Sequence, residues 1–250
     1  MKTIRFFAPF VLIAVITSCT EIMSVVNSTL GSTPLTTSEI VAGLKQALQV
    51  GTDSSVLRLS KINGYFGDEM VKILLPPEAK TITENLSKFP GGEKLVNEVI
   101  LRINRAAEDA AKEAGPIFLG SITHMTISDG VAILKGGNTA ATDYLKSATS
   151  PQLFNLYQPK IKTSLDKKLI GNISTTESWD KLTTEWNKIA GSVVGQVAGL
   201  KSVNIQLDSY LTQKALDGLF LKIAEEEIKI RTNPVARVTE LLKRVFGAQV

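Results

Sequence analysis

From residue 36 to residue 247 the apolar residues recur every three or four positions and almost nowhere alternate. A period near 3.6 belongs to amphipathic helices and a period of two to strands. The chain is therefore expected to pack helix on helix. Local punctuation agrees. Thr36 with Glu39, and Ser174 with Glu177, have capping-box spacing, in which each residue of the pair satisfies a free N–H of the other at a helix start. Behind Thr36, the residues Ile40, Val41, Leu44, Ala47 and Leu48 make one apolar stripe.

The remaining boundaries follow from glycine, proline and cap residues. Gly51 is read as ending the first helix, with Thr52 or Asp53 capping a shorter one to residue 61. Helices are expected over residues 78–89, 93–114 (broken by Gly115-Pro116) and 117–126, then from a Ser128 cap to Gly136-Gly137. Further helices follow from Asn138 to residue 147 and from Ser150-Pro151 to residue 170, the latter kinked at Pro159. The last three start at Ser174, cover residues 208–231, and run from Asn233-Pro234 to Gly247. Two stretches resist. In residues 62–77 the pairs Asn63-Gly64 and Gly67-Asp68 mark turns, and Val71, Ile73 and Leu75 alternate as in a short extended piece. In residues 191–207, Gly191, Gly195 and Gly199 among valines suggest a mobile loop or frayed helix. The fold class is all-α: an irregular multi-helix bundle of about ten helices.

The N-terminus carries a different signal. Lys2 and Arg5 precede an apolar run from residue 6 to residue 16, and Ile16, Thr17 and Ser18 lead into Cys19. A positive end, a short apolar core and small residues at a cleavage point mark a secretory leader, too short for a span of roughly 17–25 residues. Those four residues resemble a bacterial lipobox, so residues 1–18 are expected to be removed and Cys19 acylated. Cys19 is the only cysteine, which leaves no partner for an internal disulfide. Residues 19–35 read as a lipidated N-terminus and flexible tether, reaching about 50 Å if extended, and residues 36–250 as a single helical domain. A membrane partner through acyl chains follows, in the bacterial envelope. Thr20 after the cysteine favours the outer membrane facing the periplasm over the inner.

The net charge of +4 includes Lys2 and Arg5, so the mature chain is almost neutral. Without a basic run, and with 6% aromatic residues, no nucleic acid partner is expected. No cofactor or metal is expected either: His124 is the one histidine, and no metal-binding spacing occurs. Ser121, Ser128 and Asp129 flank His124, but no nucleophile elbow accompanies them, and a structural or surface histidine is the plainer reading. Gly136-Gly137-Asn138 is likewise a helix stop and cap before it is an anion site.

The acidic run Glu225, Glu226 and Glu227 says more. With Leu216, Leu219, Phe220 and Ile223 as the buried stripe, Glu227 falls within roughly 40° of Ile223 and Glu226 within roughly 60°. Carboxylates so placed need partners. Arg231 is four residues beyond Glu227, and Arg105 has Glu108 at three residues and Asp109 at four.

Four stretches carry a family resemblance: Gly43-Leu44-Lys45-Gln46-Ala47-Leu48; Asn104-Arg105-Ala106-Ala107-Glu108; Met125-Thr126 with Asp129; and Lys214-Ala215-Leu216-Asp217-Gly218-Leu219-Phe220. The last continues through the three glutamates, Arg231 and Asn233-Pro234-Val235-Ala236-Arg237. From about Leu35 to Gly247 the chain resembles the bacterial domain-of-unknown-function family 4197, DUF4197, whose members are exported and often lipidated. Residues 191–204 follow the family pattern poorly. The resemblance implies a helical exported domain with no established activity. Asn104, Arg105, Glu108, Asp129, Asp217, Glu226, Glu227 and Arg231 form the candidate polar set, functional or structural, with no residue assigned as catalytic. The expected function is a non-catalytic binding or structural lipoprotein that engages an envelope protein partner or an apolar ligand. Alternatives are an envelope hydrolase using Glu226 and Glu227, and a carrier of an apolar ligand.

Overall fold

The Thr36 capping box forms as the spacing predicts, with Glu39 N donating to Thr36 Oγ1 and Thr36 N to Glu39 Oε2. The helix it opens, α1 (Thr37–Leu59), passes through Gly51 without a break. A mid-helix glycine costs about 1 kcal/mol. Here Gly51 is buried, and an added Cβ would lie 3.4 Å from Glu226 Cβ and 3.7 Å from Ile223 O. Close helix packing outweighs local propensity at this position.

The computed structural model describes residues 34–86 and 91–247. The leader, Cys19 and the tether before residue 34 lie outside the described residues. After α1 come α2 (Lys80–Leu86), α3 (Gly92–Ala111), α4 (Ala114–Thr123) and α5 (Ile127–Leu134). The chain continues with α6 (Ala140–Asp166), α7 (Thr175–Gly191), α8 (Val193–Val197), α9 (Leu207–Thr232) and α10 (Glu240–Gly247). Among the described residues there is no strand, only an isolated bridge between Ile170 and Ile173. The architecture is an all-α bundle.

Helix α9 is its axis, packing on α1, α3, α6 and α10. Burial therefore extends beyond one stripe, to Leu211, Thr212, Ala215, Lys222 and Glu227 as well as Leu216, Leu219, Phe220 and Ile223. Helices α4, α5 and α10 cover α1. Gly43 admits α10, since a Cβ there would stand 2.6 Å from Val245 Cγ2. Two carbonyl ends are closed by cations: Lys45 Nζ donates to Thr123 O at the end of α4, and Arg237 donates to Ile230 O and Arg231 O at the end of α9.

Several boundaries differ from the sequence expectation. Helix α5 is capped by Thr126 with Asp129, not by Ser128. The expected break at Gly115-Pro116 falls earlier, after Ala111, and both residues sit in the first turn of α4, where a missing N–H costs nothing. The two helices expected on either side of Pro151 are one, because Leu145, Leu153, Tyr157, Ile161 and Leu165 bury a continuous face across both prolines. Pro151 and Pro159 lie on the exposed side. The hydroxyls of Thr149 and Ser150 fold back on the carbonyls of Leu145 and Lys146. Helix α6 stops at Asp166 rather than residue 170; Arg102 reaches across to donate to Ile170 O and Ile173 O around the left-handed Gly171. Residues 191–207 contain a short helix held in place. Trp186 Nε1 donates to Lys201 O at 2.9 Å, and Asn187 exchanges two hydrogen bonds with Val203. Among the described residues no single helix is long and apolar enough to cross a membrane.

Candidate functional site

The least helical stretch, residues 60–76, is fastened to the outside of the bundle by one face of α3. Asn104, which is completely buried, accepts from Ile73 N at 2.9 Å and donates to Ile73 O at 2.7 Å. Its amide thus supplies the pair of bonds that a neighbouring strand would give. This explains why Val71, Ile73 and Leu75 alternate and are buried without joining a sheet. One turn on, Glu108 Oε1 accepts from Tyr65 N and Phe66 N, and Oε2 from Arg105. Arg105 also donates to Asn63 Oδ1 at 2.8 Å, where the backbone is left-handed at φ 67°. The three polar residues of the Asn104-Arg105-Ala106-Ala107-Glu108 stretch therefore brace one loop.

The other side of that loop faces α9. Tyr65 buries its ring, and its hydroxyl donates to Ala215 O at 2.7 Å. Gly218 makes the approach possible, as a Cβ there would come within 2.8 Å of Tyr65 Cε1. Tyr210 donates to Leu74 O at 3.0 Å. Burial, with Glu78 adding to it, pushes the Tyr210 phenol up, so it remains a donor.

Between this extended piece, the start of α6 and the outer face of α9 lies an open groove of about 680 Å³. Ile73, Phe220, Leu221 and Ala224 supply apolar lining, and Lys72, Lys146 and Lys214 supply cations. Asp217 sits between two of them, 3.9 Å from Lys146 Nζ and 3.9 Å from Lys214 Nζ, while Asp143 accepts from Thr139 Oγ1. Lys146 Nζ lies 5.8 Å from the Phe220 ring centroid, a cation–π arrangement.

Beside the groove is a charge network the sequence did not announce. Lys222 is buried and reaches Asp68 at 2.9 Å and Glu225 at 2.8 Å; Arg58 stands 3.2 Å from Asp68. Burial opposes the charge on Lys222, but its hydrogen bonds to Glu225 and Asp68 prevail and hold its pKa above the ordinary lysine value. The hydrogen bond from Lys222 holds Asp68 below the ordinary carboxylate value. A depressed carboxylate stabilises the fold above its unfolded pKa near 3.8, and that contribution is lost as pH falls through the folded value. A raised lysine stabilises below 10.5 and loses its contribution as pH rises through the folded value. Lys222→Met should therefore lower the urea midpoint most between those limits, with the difference from wild type narrowing on acidification below pH 3.8. A constant difference across the titration would show that the network is not the source of the stability.

The other candidates lie elsewhere. Glu227 is 3% exposed and Glu226 turns outward to Lys229, so the two carboxylates do not meet in a cleft. Glu227 Oε1 accepts from Ala141 N at 3.0 Å and from Arg231 Nε at 2.8 Å. Its Oε2 accepts from Thr142 N at 2.8 Å and Thr142 Oγ1 at 2.7 Å. It is the N-terminal cap of α6, whose own Thr139 makes no side-chain cap. Arg231 donates further to Ile133 O and stands 5.5 Å from the Phe246 ring. Asp129 closes its capping box and accepts from Tyr144 OH at 2.8 Å; the Thr126 hydroxyl, then the Thr126 backbone, then Tyr144 lower its pKa. His124 and Ser121 border a second hollow, of about 560 Å³, with Tyr144. Ser121 donates to Ile117 O, and His124 Nδ1 lies 2.6 Å from Gly120 O, so each is engaged with its own helix. Among the described residues no three His, Cys, Asp or Glu side chains are grouped to hold a metal ion.

A family model described as a protein of unknown function, DUF4197, matches residues 34–247. No curated protein and no solved structure matches the chain.

Proposed function

The chain belongs to the DUF4197 family, and from that premise we propose a lipid-anchored envelope protein that binds, without transforming, an acidic amphiphile in the groove between residues 70–77, α6 and α9. The observation that carries this reading is the groove itself. Its volume of about 680 Å³ is that of a small-molecule site, and an apolar floor with three lysines against two aspartates, Asp143 and Asp217, at its margin suits an apolar body with an acidic head. Most of the polar candidates are already occupied: Asn104, Arg105 and Glu108 with the loop, Glu227 and Arg231 with a helix end, Asp129 with its cap. Asp217 accepts from Gln213 Nε2 at 3.0 Å and stands 3.9 Å from each of two lysines. The predicted leader and Cys19 would place the groove in the envelope.

Native mass spectrometry of the protein purified from its host membrane tests the reading. A co-purified acidic amphiphile is expected, and Ala224→Trp, which fills the groove from its α9 wall, should reduce its occupancy at least about tenfold, or roughly 1.4 kcal/mol. Equal occupancy in the blocked variant, or no bound molecule in wild type, would overturn it.

A further inference from the structure

We infer that the tip formed by α8 is a second membrane contact, an apolar knuckle that seats in the interface of an anionic bilayer. Val193, Val194 and Val197 are 79%, 79% and 85% exposed, and their spacing puts them on one side of the turn. Ile189, 40% exposed, continues the apolar surface at the end of α7. Between Glu185 and Asp208 the sequence has no acidic residue; of the two lysines there, Lys188 is paired with Glu185 at 2.7 Å and Lys201 carries the uncompensated charge of the tip. The bond from Trp186 Nε1 to Lys201 O holds Lys201 against the end of α7, the helix that carries Lys188. Exposed valines followed by Lys201 at the end of the tip match hydrocarbon beneath anionic headgroups.

Beyond the first two amides of the short helix, the backbone of the tip is largely paired within the tip. A segment entering lipid must satisfy its own N–H and C=O groups. Here Gly195 N donates to Ser192 Oγ, Gln196 N to Ser192 O, Ala198 N to Val194 O, and Leu200 N to Gly195 O. Gly199 takes the left-handed conformation, φ 70°, that closes the turn. The inference depends on neither the groove nor the acylation of Cys19.

The test places one reporter on the full chain. Cys19→Ser removes the only native thiol, and Val194→Cys is labelled with an environment-sensitive fluorophore; Glu240→Cys, at an 84% exposed side chain, is the control. Vesicles of phosphatidylcholine with phosphatidylglycerol carry a quencher on the acyl chain. Quenching should be about fivefold stronger at position 194 than at 240, weaker on phosphatidylcholine alone, and abolished by adding Val193→Asp and Val197→Asp. These positions are exposed, so circular dichroism should report an unchanged fold. Equal quenching at both positions, or quenching that survives the aspartates, overturns the inference. Shielding of position 194 by an envelope protein extract but not by vesicles overturns it in favour of a protein surface.

Discussion

Glu227→Ala should lower the stability of the helical bundle by about 4 kcal/mol, within the range for breaking a buried ion pair from one side. Glu227 accepts from two backbone N–H groups of α6, one hydroxyl and one guanidinium. Truncation leaves Arg231, itself only 7% exposed at the side chain, with Ile133 O as its remaining hydrogen-bond acceptor among the described residues. It also uncaps the helix packed against α9. For a chain of this size the thermal midpoint should fall by roughly 10 °C. The coupling can be measured directly. Glu227→Leu combined with Arg231→Met removes both charges and should recover more than half of the loss, because an ion pair replaced by apolar side chains is often close to neutral. The exposed α6 N–H groups account for what is not recovered. If the two single losses simply add in the double variant, Glu227 and Arg231 are not acting as one unit.

What the sequence disclosed about this residue, and what it hid, follows a rule that holds across the molecule. The helical wheel placed Glu227 beside the buried stripe, and its spacing from Arg231 identified one partner. The other partner is the start of α6, 85 residues away at Thr142, and no local pattern points to it. Capping boxes at Thr36 and Ser174 were legible because both members lie within one turn. The box at Thr126 is harder to read, because its second member is an aspartate rather than the usual glutamate or glutamine. On propensity alone Gly51 ends a helix and Ser150-Pro151 starts one, yet all three lie inside helices because burial decides between competing local preferences.

Lys222 is hidden in the sequence for a different reason. Its position falls outside the stripe, roughly 60° beyond Leu219 and about 100° from Ile223, where a lysine usually snorkels to solvent. Only the fold brings Asp68 and Glu225 to its ammonium. The groove was hidden as well. Asp217 was among the candidates, but Lys72, Lys146 and Tyr210 join it from three separate parts of the chain, so its composition exists only in the folded molecule.

Asn104→Leu offers the sharpest test of how scaffold and groove are joined. The leucine has similar bulk but neither donor nor acceptor, so Ile73 N and Ile73 O lose the partners they hold at 2.9 and 2.7 Å. Each buried backbone group left unpaired costs roughly 1–3 kcal/mol, which gives an expected loss of about 3 kcal/mol. Hydrogen exchange should localise the damage. The Ile73 amide and its neighbours through Leu75 should lose protection well before α1 and α9, because the segment has no sheet to hold it and Tyr210 reaches only Leu74 O and Leu75 O. The same change should weaken ligand retention although Asn104 does not line the groove, since Ile73 and Leu75 form its wall. Asn104→Asp makes the complementary case: it keeps the acceptor for Ile73 N, loses the donor to Ile73 O and buries a charge, so it should destabilise at least as strongly. If Asn104→Leu frees the segment to exchange yet leaves the bound amphiphile in place, the extended wall is dispensable and the ligand is held by α6 and α9 alone.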